Sequence, residues 1–299
     1  MNQCKRLRRS LAWAMALKPE ELKQLIAGCC DGIVLDLEDG VLITQKETAR
    51  TATCQILQNL NFGKKERIVR VNPVDSKFFE SDMTEVIAKG LPDAIRLPKC
   101  EHTEDVLMVE RMLTQIEKDN NMTQNTIEIL AMIETPLGVR NAYDIAVCCK
   151  RVTALSLGME DMCREFGVKR RYENNALDML YLRQKLVLDA KAAGVQILDS
   201  ALLNFDDIES TRREAVESKQ TGFTGRSVQG NEQAKLVNDI FTPDAEEVED
   251  ARGMVAAYED AGAHGDTGHI MYHGKLVCYA AYTHACDLLR YALQIEDRQ

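Results

Sequence analysis

Residues 127–138 read IEILAMIETPLG and residues 154–161 read ALSLGMED. Each is an apolar run of β-prone residues that stops abruptly on carboxylates: Glu134 in the first, Glu160 and Asp161 in the second. A buried strand ends on acids when they face solvent, a cation or a substrate. Glu134 and Asp161 stand 27 positions apart, the span of one strand, a connecting helix and the next strand. A parallel sheet would therefore bring the two oxygen donors side by side at one end. Hard oxygen ligands from one or two carboxylates, with room left for substrate, suit Mg²⁺, and the pair is expected to hold that ion.

Working outward, strand and helix patterns alternate through most of the chain. Strands are expected at 10–17, 32–37, 67–71, 94–97, 127–133, 154–157, 196–202 and 222–228, with helices at 19–27, 45–57, 82–88, 103–119, 138–148, 176–193 and 206–218. Eight strands with helical crossovers suit an α/β fold of the (β/α)₈ barrel type better than an open sheet. A doubly wound sheet is the alternative, but no Gly-rich turn follows the first strand to mark a dinucleotide site. The rhythm changes after Phe241. The expected division is a barrel over 1–241 and an extension over 242–299, built of a helix capped by Thr242 with Pro243 at its first position, a short hairpin turning at His273-Gly274, and a last helix over 282–294. That extension would pack on the barrel or on a neighbouring subunit.

A barrel makes a demand: functional residues gather at the C-terminal ends of its strands. Strand two ends in Asp36, Glu38 and Asp39, strand three carries Arg70 and Asn72, strand four ends at Lys99, strands five and six give Glu134, Glu160 and Asp161, and strand seven gives Asp199. For any one of these, a charge that merely opens a loop is the ordinary reading. Six successive strands ending in ligand-type residues point to an active site.

Composition sets the limits. A net charge of −10 over 299 residues argues against a nucleic-acid binder that needs a basic face, yet leaves room for an anionic substrate held by a local basic pocket or a metal. The ten cysteines include no C-x-x-C pair, so neither a zinc pattern nor the disulfide scaffold of a small secreted domain is indicated. Reduced thiols in a cytoplasmic protein are expected. No apolar run reaches 18 residues, so no membrane span is expected. Lys5, Arg6, Arg8 and Arg9 ahead of the apolar run 11–17 imitate a short signal peptide, but that run serves better as a first buried strand.

Seven motifs, RRS (8–10), LDLEDG (35–40), VRVNP (69–73), RLPK (96–99), IETPLG (133–138), LGMED (157–161) and FTPDAEEVEDA (241–251), stand in the order seen in the citrate lyase β subunit. Over nearly its whole length the chain resembles the CitE-like acyl-thioester lyases, which include malyl- and citramalyl-thioester lyases. The resemblance implies a Mg²⁺-dependent (β/α)₈ barrel, usually a homotrimer, that reversibly cleaves a 3-hydroxy-acyl thioester into a short acyl thioester and a 2-oxo acid such as oxaloacetate. It places the metal on Glu134 and Asp161, Arg70 on a carboxylate of the 2-oxo acid, and Glu38 and Asp39 on metal-bound waters. The backbone N–H groups of Gly158, Met159 and Glu160 would face the same carboxylate. The chemistry agrees, because an arginine grips a planar carboxylate with two parallel hydrogen bonds where a lysine cannot. An internal ion pair, Arg70 with Glu38 for instance, is the competing reading. A citryl-type lyase would work with an acyl carrier protein and a transferase subunit; a stand-alone malyl or citramalyl lyase would use free CoA thioesters. A non-catalytic relative serving as a binding or assembly partner is the third reading.

Three departures from the family pattern stand out. Many members read Asp-Gly-Lys in the tail hairpin, the Asp being an acid/base that reaches into a neighbouring subunit's site; here the turn is His273-Gly274-Lys275. An imidazole could carry the proton instead, with a plain surface-turn histidine as the competing reading. The family's Phe-x-Pro-Gly after the first strand is replaced by Trp13-Ala14-Met15-Ala16, and its Asn/His-Pro after the eighth by Gln229-Gly230, both where the thioester arm is expected. The basic run Lys169-Arg170-Arg171 could meet phosphates of a CoA-like arm, with a solvated loop as the default. His264, Asp266, His269 and His273 could be drawn as a second metal cluster, but Gly265, Gly268 and Gly274 argue against the helix that would align them. No G-x-S-x-G or P-loop motif occurs.

Overall fold

Short strands whose alternate residues are apolar and inward close on themselves around a filled interior. In the computed structural model, which describes residues 6–170, 177–204, 207–263 and 268–298, the strands are β1 (Ser10–Ala14), β2 (Gly32–Asp36), β3 (Glu66–Arg70), β4 (Ala94–Leu97), β5 (Glu128–Ile133), β6 (Val152–Leu157), β7 (Gln196–Asp199) and β8 (Gly225–Val228). They pair in parallel in chain order, and β8 pairs with β1 to complete a closed barrel. The chain is thus a (β/α)₈ barrel, as expected, with helices between successive strands.

One apolar layer crosses the barrel: Leu11, Val34, Ile68, Ala94, Leu130, Ala154 and Leu198, all fully buried, with Trp13 packed against them. Burial of each larger aliphatic side chain contributes roughly 2 kcal/mol. Below it, the N-terminal end is closed by ions. Arg8 is buried between Glu66, at 2.6 Å, and Glu128, and also donates to Gln196 and Thr153; Arg9 pairs with Asp31 at 2.8 Å. The Arg-Arg-Ser motif is therefore a structural plug. Above the apolar layer, side chains two positions further along each strand face the same interior: Asp36, Arg70, Arg96, Met132 and Ser156. Polar groups thus line the end of the barrel where strands finish.

The observed ends differ from the sequence reading where turns intervene. β1 stops at Ala14 because the Lys18 N–H turns back to the Met15 carbonyl ahead of Pro19. β8 begins at Gly225 because Gly222, at φ 104°, terminates the preceding helix Ile208–Thr221, a left-handed position that favours glycine. Helices Met159–Phe166 and Gly230–Phe241 were not expected. Among the described residues no helix is long and apolar enough to cross a membrane.

The chain divides into two compact units, Met1–Asp239 and Ile240–Gln299. The second holds a helix Ala245–Ala263, an antiparallel hairpin of β9 (Ile270–Tyr272) and β10 (Lys275–Val277), and a helix Tyr279–Glu296. Its first helix is capped by Asp244 rather than Thr242. The Glu247 N–H donates to Asp244 Oδ1 at 2.7 Å and the Asp244 N–H to Glu247 Oε2 at 2.9 Å, a reciprocal capping box. Tyr258 and Tyr282 stack between the two helices at 4.6 Å.

Candidate active site

The Ile-Glu-Thr-Pro-Leu-Gly segment has a simple local logic. β5 ends at Ile133, Thr135 caps the next helix by accepting from the Gly138 N–H at 3.1 Å, and Pro136 takes its first position. Glu134 is held at the junction, almost fully buried. Its Oε1 accepts the Lys99 N–H at 2.7 Å. Lys99 adopts φ 52°, a left-handed conformation uncommon for a side-chain-bearing residue, and its Nζ donates to Glu38 Oε1 at 2.9 Å. One lysine thus ties two of the expected site carboxylates together, through its backbone and through its side chain.

The loop after β2 is pinned from several directions. Asp36 accepts the N–H groups of Glu38 and Gly40 at 2.9 and 3.0 Å. Lys46, on the following helix, donates to the Leu37 and Glu38 carbonyls and to Asn72 Oδ1. Asn72 in turn donates to Asp82 and the Leu37 carbonyl, so it positions backbone and does not present a ligand. Arg70 meets Asp36 through Nε at 2.7 Å and Nη2 at 2.6 Å, and Glu38 through Nη1 at 2.8 Å. The internal ion pair weighed from sequence is present, with Asp36 as the two-pronged partner. Burial works against the charge on both groups of that pair. Their proximity outweighs it, holding Asp36 below the usual carboxylate range and Arg70 above the usual guanidinium range.

A cavity of about 410 Å³ opens at this end. Arg70, Asp39, Glu134, Gly158, Met159, Glu160 and Asp161 all line it, so the structure brings these expected site residues together. Glu38 lies beside them through Arg70 and Lys99. Burial, with the negative charges of Glu38 and Asp161, pushes the Glu134 carboxyl up to about 7. Asp161 pairs with Arg164 at 2.6 Å near the surface. Among the described residues no three His, Cys, Asp or Glu side chains gather as a metal-binding group. The ligands expected from the sequence, Glu134 and Asp161, are two carboxylates that line this one cavity. That fits Mg²⁺, which keeps several waters and takes one or two protein carboxylates, and the mutual repulsion at Glu134 is what a divalent cation would relieve.

Other expectations are corrected. The Gly158 N–H donates to the Ile133 carbonyl at 3.1 Å and the Met159 N–H to Ser200 Oγ at 3.4 Å. Gly158 therefore has no N–H to offer a substrate. Asp199 turns away from the site: it pairs with Arg183 at 2.7 Å and accepts from Ser218 at 2.6 Å. Burial alone would raise its carboxyl, but Arg183 and Arg226 bring it to about 2. Arg170 of the basic run is committed to Glu160, Glu214 and the Ala201 carbonyl, while Arg171 lies outside the described residues. So do His264 and Asp266 of the drawn metal cluster. His273 sits at the turn of the tail hairpin with φ 46°, edge-on to Tyr272, and lines an acidic hollow of the second unit with Glu246, Glu249 and Asp250.

Two residues at the cavity, Arg96 and Ser227, escaped the sequence reading. Trp13 lines it, with the guanidinium carbons of Arg70 and Arg96 at 4.5 and 4.7 Å from its ring centroid. Arg96 donates across the barrel to Ser227 at 2.9 Å, and its Nε has no hydrogen-bond partner among the described residues. Burial, helped by the charge of Arg70, depresses its guanidinium to about 9. The signal was available: Arg96 stands two positions after the inward Ala94.

A family model described as HpcH/HpaI aldolase/citrate lyase matches residues 9–230. The citrate lyase subunit beta of Haemophilus influenzae is 34% identical over 272 residues, 91% of this chain and 92% of that protein. A (3S)-malyl-CoA thioesterase of Cereibacter sphaeroides is 31% identical over 269 residues, 90% and 89% of the two chains. The solved structure of CitE from Mycobacterium tuberculosis in complex with magnesium, acetoacetate and coenzyme A superposes with a TM-score of 0.75 at 25% identity, covering 96% of this chain and 98% of that one.

Proposed function

The chain belongs to the HpcH/HpaI aldolase/citrate lyase family and is a lyase, and on that premise we propose that it cleaves a citryl-type 3-hydroxy-acyl thioester, with Mg²⁺, into an acyl thioester and oxaloacetate. The observation that carries the reading is the shared cavity: Arg70, Glu134 and Asp161 line one hollow at the mouth of the barrel. Glu134 and Asp161 would hold the metal, as a magnesium complex of a 25%-identical relative supports. A divalent cation bound there would stabilise negative charge on the substrate's hydroxyl oxygen, which loses its proton and becomes the keto oxygen of the 2-oxo acid as the bond from its carbon to the acyl arm breaks. Arg70, fixed by Asp36, orients a carboxylate of the acid portion. Glu38, held by Arg70 and Lys99, and Asp39 at the rim order water. The N–H of Glu160, at the second position of the helix Met159–Phe166, faces the substrate's negative end, and His273, reaching in from a neighbouring subunit, carries the hydroxyl proton to the acyl carbon.

The citryl reading stands first because citrate lyase relatives exceed the malyl-type relative in identity. The malyl or citramalyl reading, with free CoA thioesters, stands second on the strength of that malyl-CoA relative. With the citryl reading go a homotrimer and work beside an acyl carrier protein and a transferase subunit. The relative's name, a subunit beta, supports that assembly. The nine described cysteines are all free thiols, which supports a cytoplasmic setting.

The test is to incubate the purified protein with Mg²⁺ and citryl-, malyl- or citramalyl-CoA, and with a carrier-bound citryl thioester, following release of oxaloacetate, glyoxylate or pyruvate. Release from the citryl thioester, abolished by Glu134→Ala, is the expected result. Absence of turnover with every thioester, alongside intact metal binding, would leave a non-catalytic binding role instead.

A further inference from the structure

The charges around the cavity do not cancel residue by residue. Arg70 and Lys99 are matched by Asp36 and Glu38, in ion pairs of 2.6 to 2.9 Å. Arg96 is different. It is 1% exposed, yet among the described residues it joins no ion pair, and its one hydrogen bond goes to a neutral hydroxyl, Ser227 Oγ at 2.9 Å. Its Nε is buried without a partner among the described residues. A buried guanidinium left this way is costly, and such a group persists where a bound anion completes it. Arg96, Ser227 and Trp13 all line the same cavity as Arg70 and Glu134.

We propose that Arg96, with Ser227 and the face of Trp13, forms a second carboxylate subsite that takes the distal carboxylate of a four-carbon 2-oxo acid, and so selects an oxaloacetate-type product over a pyruvate-type one. The assignment deepens the lyase reading and rests on its placing the acid portion of the substrate in this cavity. The stereochemical reason is that one acid-bearing carbon is already claimed by Arg70 and the metal-binding carboxylates. A substrate with a further carboxylate needs a second cation, and Arg96 is the one that no acid side chain of the described residues occupies. Trp13 contributes a flat, half-buried wall on which the guanidinium rests, fixing the plane of its donors. The methyl group of a pyruvate-type ligand would leave those donors unsatisfied, which is how a buried polar site rejects a smaller analogue.

The experiment compares binding of oxaloacetate and pyruvate by calorimetry in the presence of Mg²⁺, for the wild type, Arg96→Met and Arg96→Lys. Wild type should bind oxaloacetate more tightly by about tenfold to a hundredfold, the range a charge-assisted hydrogen bond supplies. Arg96→Met should abolish that preference while leaving pyruvate affinity within a few fold, and Arg96→Lys should retain part of it. In turnover the loss should fall on KM for the larger acid in the condensation direction more than on kcat. An unchanged preference in Arg96→Met, or equal affinity of wild type for the two acids, overturns the assignment. Should Arg96→Met fail to fold, as checked by circular dichroism, Arg96→Lys decides by the same ratio. Preference intact with no thioester turnover would sink the lyase reading and leave this subsite standing; turnover without preference would do the reverse.

Discussion

Arg70 meets Asp36 with both prongs of its guanidinium, Nε at 2.7 Å and Nη2 at 2.6 Å, and Asp36 also receives two backbone N–H groups of the loop that carries Glu38 and Asp39. This one carboxylate therefore sets both the direction of the anion-binding arginine and the shape of the acidic loop. Asp36→Asn keeps the volume and removes the charge. It is expected to lower stability by about 3 kcal/mol, the order found when one partner of a buried pair is neutralised, read as the urea midpoint. The same variant should lose at least tenfold in kcat/KM, because Arg70 keeps only Glu38 as an acid partner and swings. Normal activity in a destabilised variant would show that Arg70 is oriented by something else.

Gly158 is required for a reason unrelated to backbone strain, since its φ of −103° is open to any residue. A Cβ there would lie 2.4 Å from Glu134 Oε2 and 2.6 Å from Glu134 Cβ, contacts that no side chain tolerates. Gly158→Ala should push the Glu134 carboxyl off its position. The expected outcome is a fall in Mg²⁺ affinity and in turnover of about a hundredfold or more, the cost of roughly 1 Å of misplacement at a reacting centre. Titration with the metal, followed by tryptophan fluorescence of Trp13, and steady-state kinetics check it. Equal metal affinity in the variant would remove Glu134 from the metal site.

How far the sequence carried the reader depends on which face a residue takes. The eight strands were legible because β-prone apolar runs alternate with helical patterns, and Glu134 and Asp161 because an apolar strand that ends on an acid is conspicuous. Asp199 was misread for want of parity. It follows the inward Leu198, so the two-residue period turns it outward onto Arg183, and a charge at a strand end is ambiguous until that parity is applied. Arg96 was missed for the complementary reason: a charge inside an apolar strand is read as an ion pair, and only the structure shows that no acid of the described residues meets it. Lys46 carried no sequence signal at all. It lies on a helix surface by pattern, and becomes a brace only when the loop after β2 folds back to place three acceptors around its Nζ.

Asp199 makes its own prediction. Its carboxyl is brought from 3.8 to about 2 in the fold, so the unfolded chain binds more protons than the native one between those values. The stabilisation is full above about pH 4 and is lost as pH falls towards 2, amounting to about 2 kcal/mol. Asp199→Asn should cut stability at pH 7 by at least that amount, since it strips charge from a pair that also engages Ser218 and Arg226, and should flatten the acid limb of the melting curve. Because the residue faces away from the cavity, KM for the thioester should stay within about twofold of wild type in folded protein. A large KM change would put Asp199 back in the site.

Glu134 behaves with the opposite sign. Its carboxyl is raised from 4.5 to about 7 by burial and by the charges of Glu38 and Asp161, so in metal-free protein the native state binds more protons than the unfolded chain across that window. Stability from this group is fully present below about pH 4.5 and is lost as pH rises through 7, a change of about 3 kcal/mol. Metal-free wild type should therefore melt progressively lower from pH 5 to pH 8, and Glu134→Gln should remove most of that slope. A divalent cation competes with the proton for the same oxygen atoms. Added Mg²⁺ should raise the melting temperature strongly at pH 8 and little at pH 5.5, with apparent affinity weakening by about tenfold per unit as pH drops below 7. Superimposable melting profiles for wild type and Glu134→Gln, with and without Mg²⁺, would mean that the crowding of negative charge at the barrel mouth does not centre on this carboxylate, and the metal would have to be sought elsewhere in the cavity.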